Sequence, residues 1–172
     1  MVKIGEKVPD FEAQAYVAGK FQRVKLSDNK GKWVVLFFYP RDFTFVCPTE
    51  IKSFAKHEPE FNSLGAVVLG ASTDSEYSHK AWFEKELPEV KFPVIADTSH
   101  VVSSLFGVLK EDGRAYRGTF IIDPEGSLRY VVVSDMGVGR SVAETVRVLQ
   151  ALQSGELCPI EWQPGEKTLG KA

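Results

Sequence analysis

Residues 33–50 read Trp-Val-Val-Leu-Phe-Phe-Tyr-Pro-Arg-Asp-Phe-Thr-Phe-Val-Cys-Pro-Thr-Glu, and this stretch decides the fold. Its first seven residues are aliphatic, β-branched or aromatic, a pattern that predicts a strand buried on both faces of a sheet. Pro40 ends this strand, because proline has no backbone N–H to donate to a neighbouring strand. The rest of the chain is organised around this strand and the cysteine that follows it.

A helix is predicted to begin at Cys47. Pro48 suits the first turn, where its missing N–H would be unpaired in any case, and the acidic Glu50 suits the same turn. Apolar residues then recur at helical spacing as far as Gly65, although Pro59 predicts a kink or a break. A thiol at a helix N-terminus is placed where free N–H groups favour the thiolate, so Cys47 is a candidate nucleophile. The alternative is a buried structural thiol.

The remaining pattern alternates strands and helices before an antiparallel pair and a last helix. The predicted strands cover 8–17, 21–26, 66–72, 92–97, 118–123 and 128–134, and the predicted helices run from 73–75 to 87, from Ser99 to 106, and from Ser141 to Gly155. The proline in 92–97 predicts an edge strand or a strand start. Ser141 and Glu144 have the spacing of a capping box. Residues from Cys158 onward are predicted to be an arm with little regular structure.

This order of elements predicts an α/β fold with a mixed central sheet flanked by helices. A cysteine between a strand and a helix, early in a βαβ unit, is the thioredoxin-like arrangement, and we expect that fold with an N-terminal hairpin extension. We expect one domain over 1–154 and a C-terminal arm over 155–172. A dithiol enzyme of this fold would carry Cys-x-x-Cys. Here the third residue after Cys47 is Glu50, which excludes a local disulfide.

Composition excludes several classes of protein. The net charge is −2 and basic residues do not cluster, so neither nucleic acid nor an anionic membrane is an expected partner. No apolar run approaches the roughly 20 residues of a membrane span, and the N-terminus lacks a secretory apolar core, so we expect a cytoplasmic protein. The two cysteines do not suit a disulfide scaffold, and with the three histidines they show no metal-ligand spacing.

The segment Pro40-Arg-Asp-Phe-Thr44-Phe-Val-Cys47 fits the Pro-x-x-x-Thr-x-x-Cys active-site motif of the peroxiredoxins, and the likeness continues through Glu50. Residues 116–123 resemble the strand that carries the catalytic arginine of that family, which implies this role for Arg117, although Arg41 and Arg114 lie nearby in sequence. Residues 138–141 resemble the position of a second arginine, here Arg140, expected to pair with Glu50. Leu157-Cys158-Pro159 resembles the resolving-cysteine motif, and the whole is most similar to the alkyl hydroperoxide reductase C type.

The resemblance implies a thiol-dependent peroxidase. Cys47 would reduce hydrogen peroxide or an organic hydroperoxide and become sulfenic acid, and Cys158 from a second subunit would condense with it into an intersubunit disulfide. Thr44 is expected to hydrogen-bond the sulfur and the substrate, and Pro40 to shield the sulfur from water. A thioredoxin-like donor or a flavoprotein disulfide reductase would restore the thiols. No metal or organic cofactor is implied, and the expected assembly is a homodimer, possibly a decamer of five dimers, with residues 72–82 near the dimer–dimer contact.

Two other functions stay open. The first is a cysteine hydrolase or transferase in which a histidine activates Cys47. The second is a non-catalytic protein of thioredoxin-like fold, such as a holdase chaperone. Within the peroxiredoxin hypothesis, residues 84–88 read Glu-Lys-Glu-Leu-Pro where members sensitive to overoxidation carry Gly-Gly-Leu-Gly, and no tyrosine or phenylalanine follows Cys158. We therefore expect an enzyme that resists overoxidation.

Overall fold

The structure is a computed structural model and describes residues 1–171. The strands are β1 (Glu12–Val17), β2 (Lys20–Lys25), β3 (Trp33–Phe38), β4 (Ala66–Ser72), β5 (Val94–Ala96), β6 (Arg117–Ile122) and β7 (Leu128–Ser134). The helices are α1 (Cys47–Ser63), α2 (Glu76–Glu86), α3 (Val101–Leu105) and α4 (Val142–Ser154), and a 3₁₀ turn spans Leu26–Asn29. Every predicted element is present, although the first strand begins at Glu12 and not at Val8.

The strands form one mixed sheet in the order β2-β1-β5-β4-β3-β6-β7. Strand β3 lies inside the sheet, where it pairs parallel with β4 and antiparallel with β6. The β3–α1–β4 segment is therefore the predicted βαβ unit, and the N-terminal hairpin joins the sheet because β1 pairs antiparallel with β5. The predicted thioredoxin-like fold with a mixed central sheet is confirmed.

Side chains of β3 alternate between two apolar clusters, one on each face of the sheet. Val35 and Phe37 lie in the cluster that packs against α1, where the Phe37 ring stacks on Phe54 with centroids 3.9 Å apart. Leu36 and Phe38 lie in the opposite cluster. Since both faces of β3 are covered, its continuous apolar sequence has the burial that the pattern predicted.

Helix α1 is continuous through Pro59, so the predicted break does not occur. A proline inside a helix removes one backbone hydrogen bond. Phe54 and Phe61 lie on either side of the proline in sequence, and both rings are fully buried with their centroids 6.3 Å apart. The packing of these rings holds the helix. Cys47 begins this helix and Pro48 occupies its first turn, as predicted.

The predicted capping of α3 by Ser99 is wrong. The N-cap residue is His100, and the buried carboxylate of Asp97 accepts hydrogen bonds from the backbone N–H groups of Val102 and Ser103 at 3.0 and 2.7 Å. An aspartate that reaches past the cap residue satisfies the same unpaired donors. Strand β5, which precedes this turn, starts after Pro93 and lies inside the sheet, so the proline marks a strand start and not an edge.

Candidate active site

The topology brings three segments together at one end of β3. Cys47 follows that end as the first residue of α1. Because β6 runs antiparallel to β3, the first residue of β6, Arg117, lies beside the same end. The segment that follows β7 supplies Arg140. Residues far apart in sequence therefore meet in a buried site, in which Cys47 is 1% exposed.

Arg117 connects the sulfur to the nearby carboxylate. One terminal nitrogen donates to Cys47 Sγ at 3.5 Å and to Glu50 Oε2 at 2.6 Å. The Nε of the same guanidinium donates to the carbonyl of Met136 at 2.8 Å. Arg117 is only 3% exposed, and Glu50 and the Met136 carbonyl both hold its guanidinium. One terminal nitrogen therefore stays directed at the Cys47 sulfur.

Glu50 and Arg140, which the sequence predicted to pair, form a bidentate contact. Arg140 Nε donates to Oε1 at 2.8 Å and its second terminal nitrogen donates to Oε2 at 3.0 Å, while the Arg140 backbone N–H donates to Oε1 at 2.8 Å. The remaining terminal nitrogen donates to the carbonyl of Gly118 at 2.6 Å, on β6. Such charge-assisted, bidentate bonds fix the positions of both groups.

The charges of this site sum to a local excess of one positive charge. Burial raises the pKa of Glu50, but the hydrogen bonds and the charge of Arg140, with the charge of Arg117, outweigh burial and hold the pKa below its ordinary value. Glu50 is therefore a carboxylate at neutral pH. Two guanidinium groups face one carboxylate and one sulfur, so the remaining positive charge lies beside the Cys47 sulfur.

The loop that precedes Cys47 carries Pro40, which is buried, and Thr44, which is half-buried. The Thr44 hydroxyl donates to the carbonyl of Arg41 at 2.9 Å, and within residues 1–171 it makes no hydrogen bond to the sulfur. A threonine hydroxyl has a single hydrogen, and the nearby backbone carbonyl is the partner that takes it here. The oxygen of Thr44 keeps its capacity to accept a hydrogen bond.

The neighbouring arginines do not occupy the site. Arg41 is exposed. Arg114 forms a pair with Asp112 on the surface, where its Nε donates to the carboxylate at 3.0 Å. Of the three arginines that the sequence left open for the catalytic role, only Arg117 contacts the sulfur among the described residues.

Sequence reasoning missed the anchor of the loop, Asp42. Its buried carboxylate accepts hydrogen bonds from the hydroxyls of Tyr39 and Ser78 and contacts His79 Nδ1, each at 2.8 Å. The next residue, Phe43, has a left-handed backbone with φ of 54°, which is rare for an aromatic residue. The one available signal was an acidic residue between Arg41 and Phe43, inside a motif that leaves this position free.

None of the histidines contacts Cys47 within the described residues. His79 is fully buried between Asp42 and the carbonyl of Ile95, and His57 contacts the carbonyl of Ser53 within its own helix. His100 is the cap residue of α3. The arrangement of a cysteine with an adjacent histidine base, which a cysteine hydrolase requires, is not formed.

Cys158 lies in the segment after α4 and is partly exposed. Both cysteines are free thiols. The sulfur of Cys158 lies 3.5 Å from Ser154 Oγ and 3.9 Å from the carbonyl of Ala151, at the end of α4. The structure therefore places the two predicted redox residues at separate positions, Cys47 among arginines and Cys158 against a helix end.

No helix within residues 1–171 is both long and apolar enough to cross a membrane. In that same part of the chain, no group of three or more histidine, cysteine, aspartate or glutamate side chains could hold a metal ion.

A thioredoxin-like fold with a buried cysteine facing an arginine defines the class of cysteine-dependent redox enzymes. Residues 4–131 match the AhpC/TSA family. The chain is 53% identical over 176 residues to peroxiredoxin prdx-2 of Caenorhabditis elegans, an alignment that covers 96% of this chain and 88% of that protein. It is 51% identical over 175 residues to the putative peroxiredoxin YkuU of Bacillus subtilis, covering 96% and 97% of the two chains.

Solved structures agree with these relatives. The TM-score is 0.94 to the reduced 2-Cys peroxiredoxin of Plasmodium vivax, at 34% identity over 98% of this chain and 93% of that one. It is 0.88 to AhpC of Enterococcus faecalis, at 42% identity over 92% and 100% of the two chains. The chain belongs to the AhpC/TSA family of peroxiredoxins and is a peroxidase, which confirms the resemblance found in its sequence.

Proposed function

We propose that the chain reduces hydrogen peroxide and organic hydroperoxides through a sulfenic acid at Cys47 and an intersubunit disulfide with Cys158. The observation that carries this proposal is the shared nitrogen of Arg117, which lies within hydrogen-bonding distance of both Cys47 Sγ and Glu50. Residues 1–154 act as the peroxidase domain and residues 155–172 as an arm that supplies the resolving cysteine. No metal or organic cofactor takes part.

In the first step the Cys47 thiolate attacks one oxygen of the hydroperoxide. The S–O bond forms as the O–O bond breaks, and the departing oxygen takes a proton and leaves as water or an alcohol. Arg117 donates to the sulfur in the resting state and remains close enough to bind the oxygen on which negative charge develops. Arg140 and Glu50 hold that guanidinium in place, Pro40 limits access of water, and Thr44 accepts a hydrogen bond from the peroxide.

In the second step the Cys158 thiol attacks the sulfenic sulfur. The S–S bond forms and the sulfenic hydroxyl leaves as water. Glu50 stands where a local partner cysteine would be, and Cys158 is held at the end of α4, so the arm of one subunit serves the Cys47 of its partner. The protein therefore works as a homodimer, and we propose that five such dimers can form a decamer.

A dithiol donor then reduces the disulfide by thiol–disulfide exchange. The donor is a thioredoxin-like protein or a flavoprotein disulfide reductase, and the expected site of action is the cytoplasm. Hydrolysis by a cysteine–histidine pair is disfavoured, because His79 and His57 are bonded elsewhere. A purely structural or chaperone role gives no reason to bury Arg117 and Arg140 beside a thiol, since buried charges cost free energy unless they are paired.

A peroxide titration followed by a non-reducing gel tests the proposal. One equivalent of hydrogen peroxide should convert the monomer band to a disulfide-linked dimer, and Cys47→Ser and Cys158→Ser should each prevent that band. Consumption of hydrogen peroxide and cumene hydroperoxide with a thioredoxin system should depend on both cysteines. A wild-type band that stays monomeric, together with no peroxide consumption, would contradict the proposal.

A further inference from the structure

The segment after α4 folds into a closed loop. The Leu157 N–H donates to the carbonyl of Gly170, and the Leu169 N–H donates to the carbonyl of Leu157, both at 2.8 Å. Within this loop Trp162 is only 5% exposed, and its indole N–H donates to the carbonyl of Glu166 at 3.0 Å. The arm has no helix or strand in its described part, as predicted, yet it is packed and hydrogen-bonded.

Arg147 joins α4 to this loop. Its Nε and one terminal nitrogen donate to the two carboxylate oxygens of Glu144 at 2.6 and 2.8 Å. The other terminal nitrogen donates to the backbone carbonyl of Trp162 at 2.8 Å. Because the bidentate contact with Glu144 fixes the plane of the guanidinium, the remaining donor is aimed at the arm.

Only one of the two hydrogen bonds of the predicted capping box forms, because the Glu144 carboxylate binds Arg147. Ser141 Oγ accepts from the Glu144 backbone N–H at 3.1 Å, as a capping residue does. The Glu144 carboxylate turns to Arg147 and not back to the Ser141 N–H. This use of the side chain indicates that its position serves the contact between α4 and the arm.

Cys158 lies where the loop meets the end of α4. Its sulfur faces Ser154 Oγ at 3.5 Å and the carbonyls of Glu156 and Ala151 at 3.8 and 3.9 Å. In this docked position the S–H group can donate to a carbonyl oxygen of α4 or of the arm. Glu161, between Cys158 and Trp162, has a left-handed backbone with φ of 60°, an unfavourable conformation that the docked loop holds.

We propose that Arg147 is a positioning residue for the second step, because its bond to the Trp162 carbonyl latches the arm on α4 and limits the release of Cys158. This inference rests on the proposed function, since it concerns disulfide formation. On release, the Cys158 sulfur forms a bond with the Cys47 sulfur, and the sulfenic hydroxyl leaves with the thiol proton as water. The first step takes place among Cys47, Arg117 and Glu50 and does not involve the latch.

Labelling of Cys158 tests the latch without peroxide. In the Cys47→Ser background Cys158 is the one remaining thiol, and its rate of reaction with 5,5′-dithiobis(2-nitrobenzoate) reports release of the arm. Arg147→Gln should label about tenfold faster than the parent, the change in equilibrium that about 1.4 kcal/mol produces. Arg147→Lys should label Cys158 at an intermediate rate, because a single ammonium group does not reproduce the planar set of donors of a guanidinium. Equal rates for all three would overturn the proposal.

A matched control and a second variant distinguish release of the arm from a general loss of structure. Arg114→Gln removes another arginine–carboxylate pair, the one with Asp112 in the surface turn before β6, and should not change the labelling rate. Trp162→Phe keeps Arg147 but removes the indole bond to Glu166, and should also speed labelling. If Arg114→Gln accelerates labelling as much as Arg147→Gln, the effect is not specific to the latch and the proposal fails.

With both cysteines present, rapid mixing with hydrogen peroxide separates the two steps. Arg147→Gln should leave the peroxide-dependent first phase unchanged and should speed the peroxide-independent disulfide phase about tenfold, the same factor as the labelling rate. An unchanged or slower second phase would overturn the role of Arg147. If the wild-type chain forms no disulfide at all, the proposed function fails, and the labelling rates still decide whether Arg147 latches the arm.

Discussion

Arg117 donates from one terminal nitrogen to Cys47 Sγ at 3.5 Å and to Glu50 Oε2 at 2.6 Å. The same carboxylate receives the bidentate contact of Arg140, so one buried anion positions two cations beside the thiol. The result is a preorganised positive environment that does not have to rearrange when charge develops on the departing oxygen.

Removing the Arg117 guanidinium should slow peroxide reduction. Loss of one preorganised donor typically costs about 10²–10³ in rate, and we expect this range for Arg117→Ala in the second-order rate constant with hydrogen peroxide. Arg117→Lys should recover only part of the rate, because an ammonium does not bind sulfur and carboxylate in the same geometry. Stopped-flow fluorescence measures the constant, and Arg114→Ala is the control that should match wild type.

Glu50→Gln should destabilise the protein. The substitution leaves two buried guanidinium groups without their counter-charge, and breaking a buried ion pair from one side costs about 3–5 kcal/mol. Urea denaturation followed by circular dichroism gives the free energy of unfolding. Glu111→Gln, at an exposed carboxylate, is the matched control. A loss below about 1 kcal/mol, the range of exposed ion pairs, would show that the arginines do not depend on Glu50.

The pKa of Glu50 makes part of this stability depend on pH. Its folded-state pKa lies below the unfolded value because the hydrogen bonds and charge of Arg140 outweigh burial. A depressed carboxyl pKa contributes stability that is present above the unfolded pKa and is lost as pH falls through the folded pKa. The difference in unfolding free energy between wild type and Glu50→Gln should be constant near pH 6–7, shrink below about pH 4.5 and continue to fall in stronger acid. A difference independent of pH down to about 3 would contradict this assignment.

Asp42 should stabilise the loop that carries Thr44. Asp42→Asn replaces one acceptor oxygen by an NH₂ group, which can no longer accept the hydrogen bond that the Tyr39 or the Ser78 hydroxyl donates. We expect a decrease of about 1–3 kcal/mol in unfolding free energy. Faster proteolysis between Pro40 and Cys47 should accompany it. Unchanged stability together with unchanged cleavage would mean that the contacts of Asp42 do not hold the loop.

Overoxidation should be slow in the wild-type chain. Trp162 is the one aromatic side chain within residues 158–171, and the arm contacts α4 through Arg147 and Cys158. Intact-mass spectrometry after turnover with millimolar peroxide should show little Cys47 sulfinic acid, whereas Cys158→Ser should accumulate it quickly because its sulfenic acid is not resolved. Rapid sulfinic acid formation in wild type would contradict the expectation.

Local pattern was enough to predict most of the fold. The apolar run of β3, the proline that follows Cys47 and the glycine after α4 each act through neighbouring residues, and their predicted effects are present. The site residues came from motifs in three separate segments, and the antiparallel pairing of β3 and β6 brings Arg117 to Cys47. The strands and helices follow from periodicity in the sequence, whereas the roles of Arg117, Arg140 and Cys158 were expected from the resemblance to the peroxiredoxins.

Features that depend on distant partners could not be predicted in this way. Asp42 is held by Ser78 and His79, which lie on α2, and no local spacing connects them. The capping of α3 by Asp97 required a backbone path that brings the carboxylate past Ser99. The contact between Arg147 and the arm could not be predicted, because the sequence of the arm has no periodic pattern. In each case a few polar contacts between distant residues decide the geometry, and apolar patterning carries no signal for them.

Hybrid dimers test the central claim most directly. A tagged Cys47→Ser chain and an untagged Cys158→Ser chain can be refolded together, oxidised with one equivalent of hydrogen peroxide, and analysed by non-reducing gel and peptide mass spectrometry. The account predicts a covalent tagged–untagged dimer in which Cys158 of the tagged chain is bonded to Cys47 of the untagged chain, and no covalent dimer from either chain alone. No mixed dimer on the gel, together with a disulfide within single wild-type chains, would contradict it.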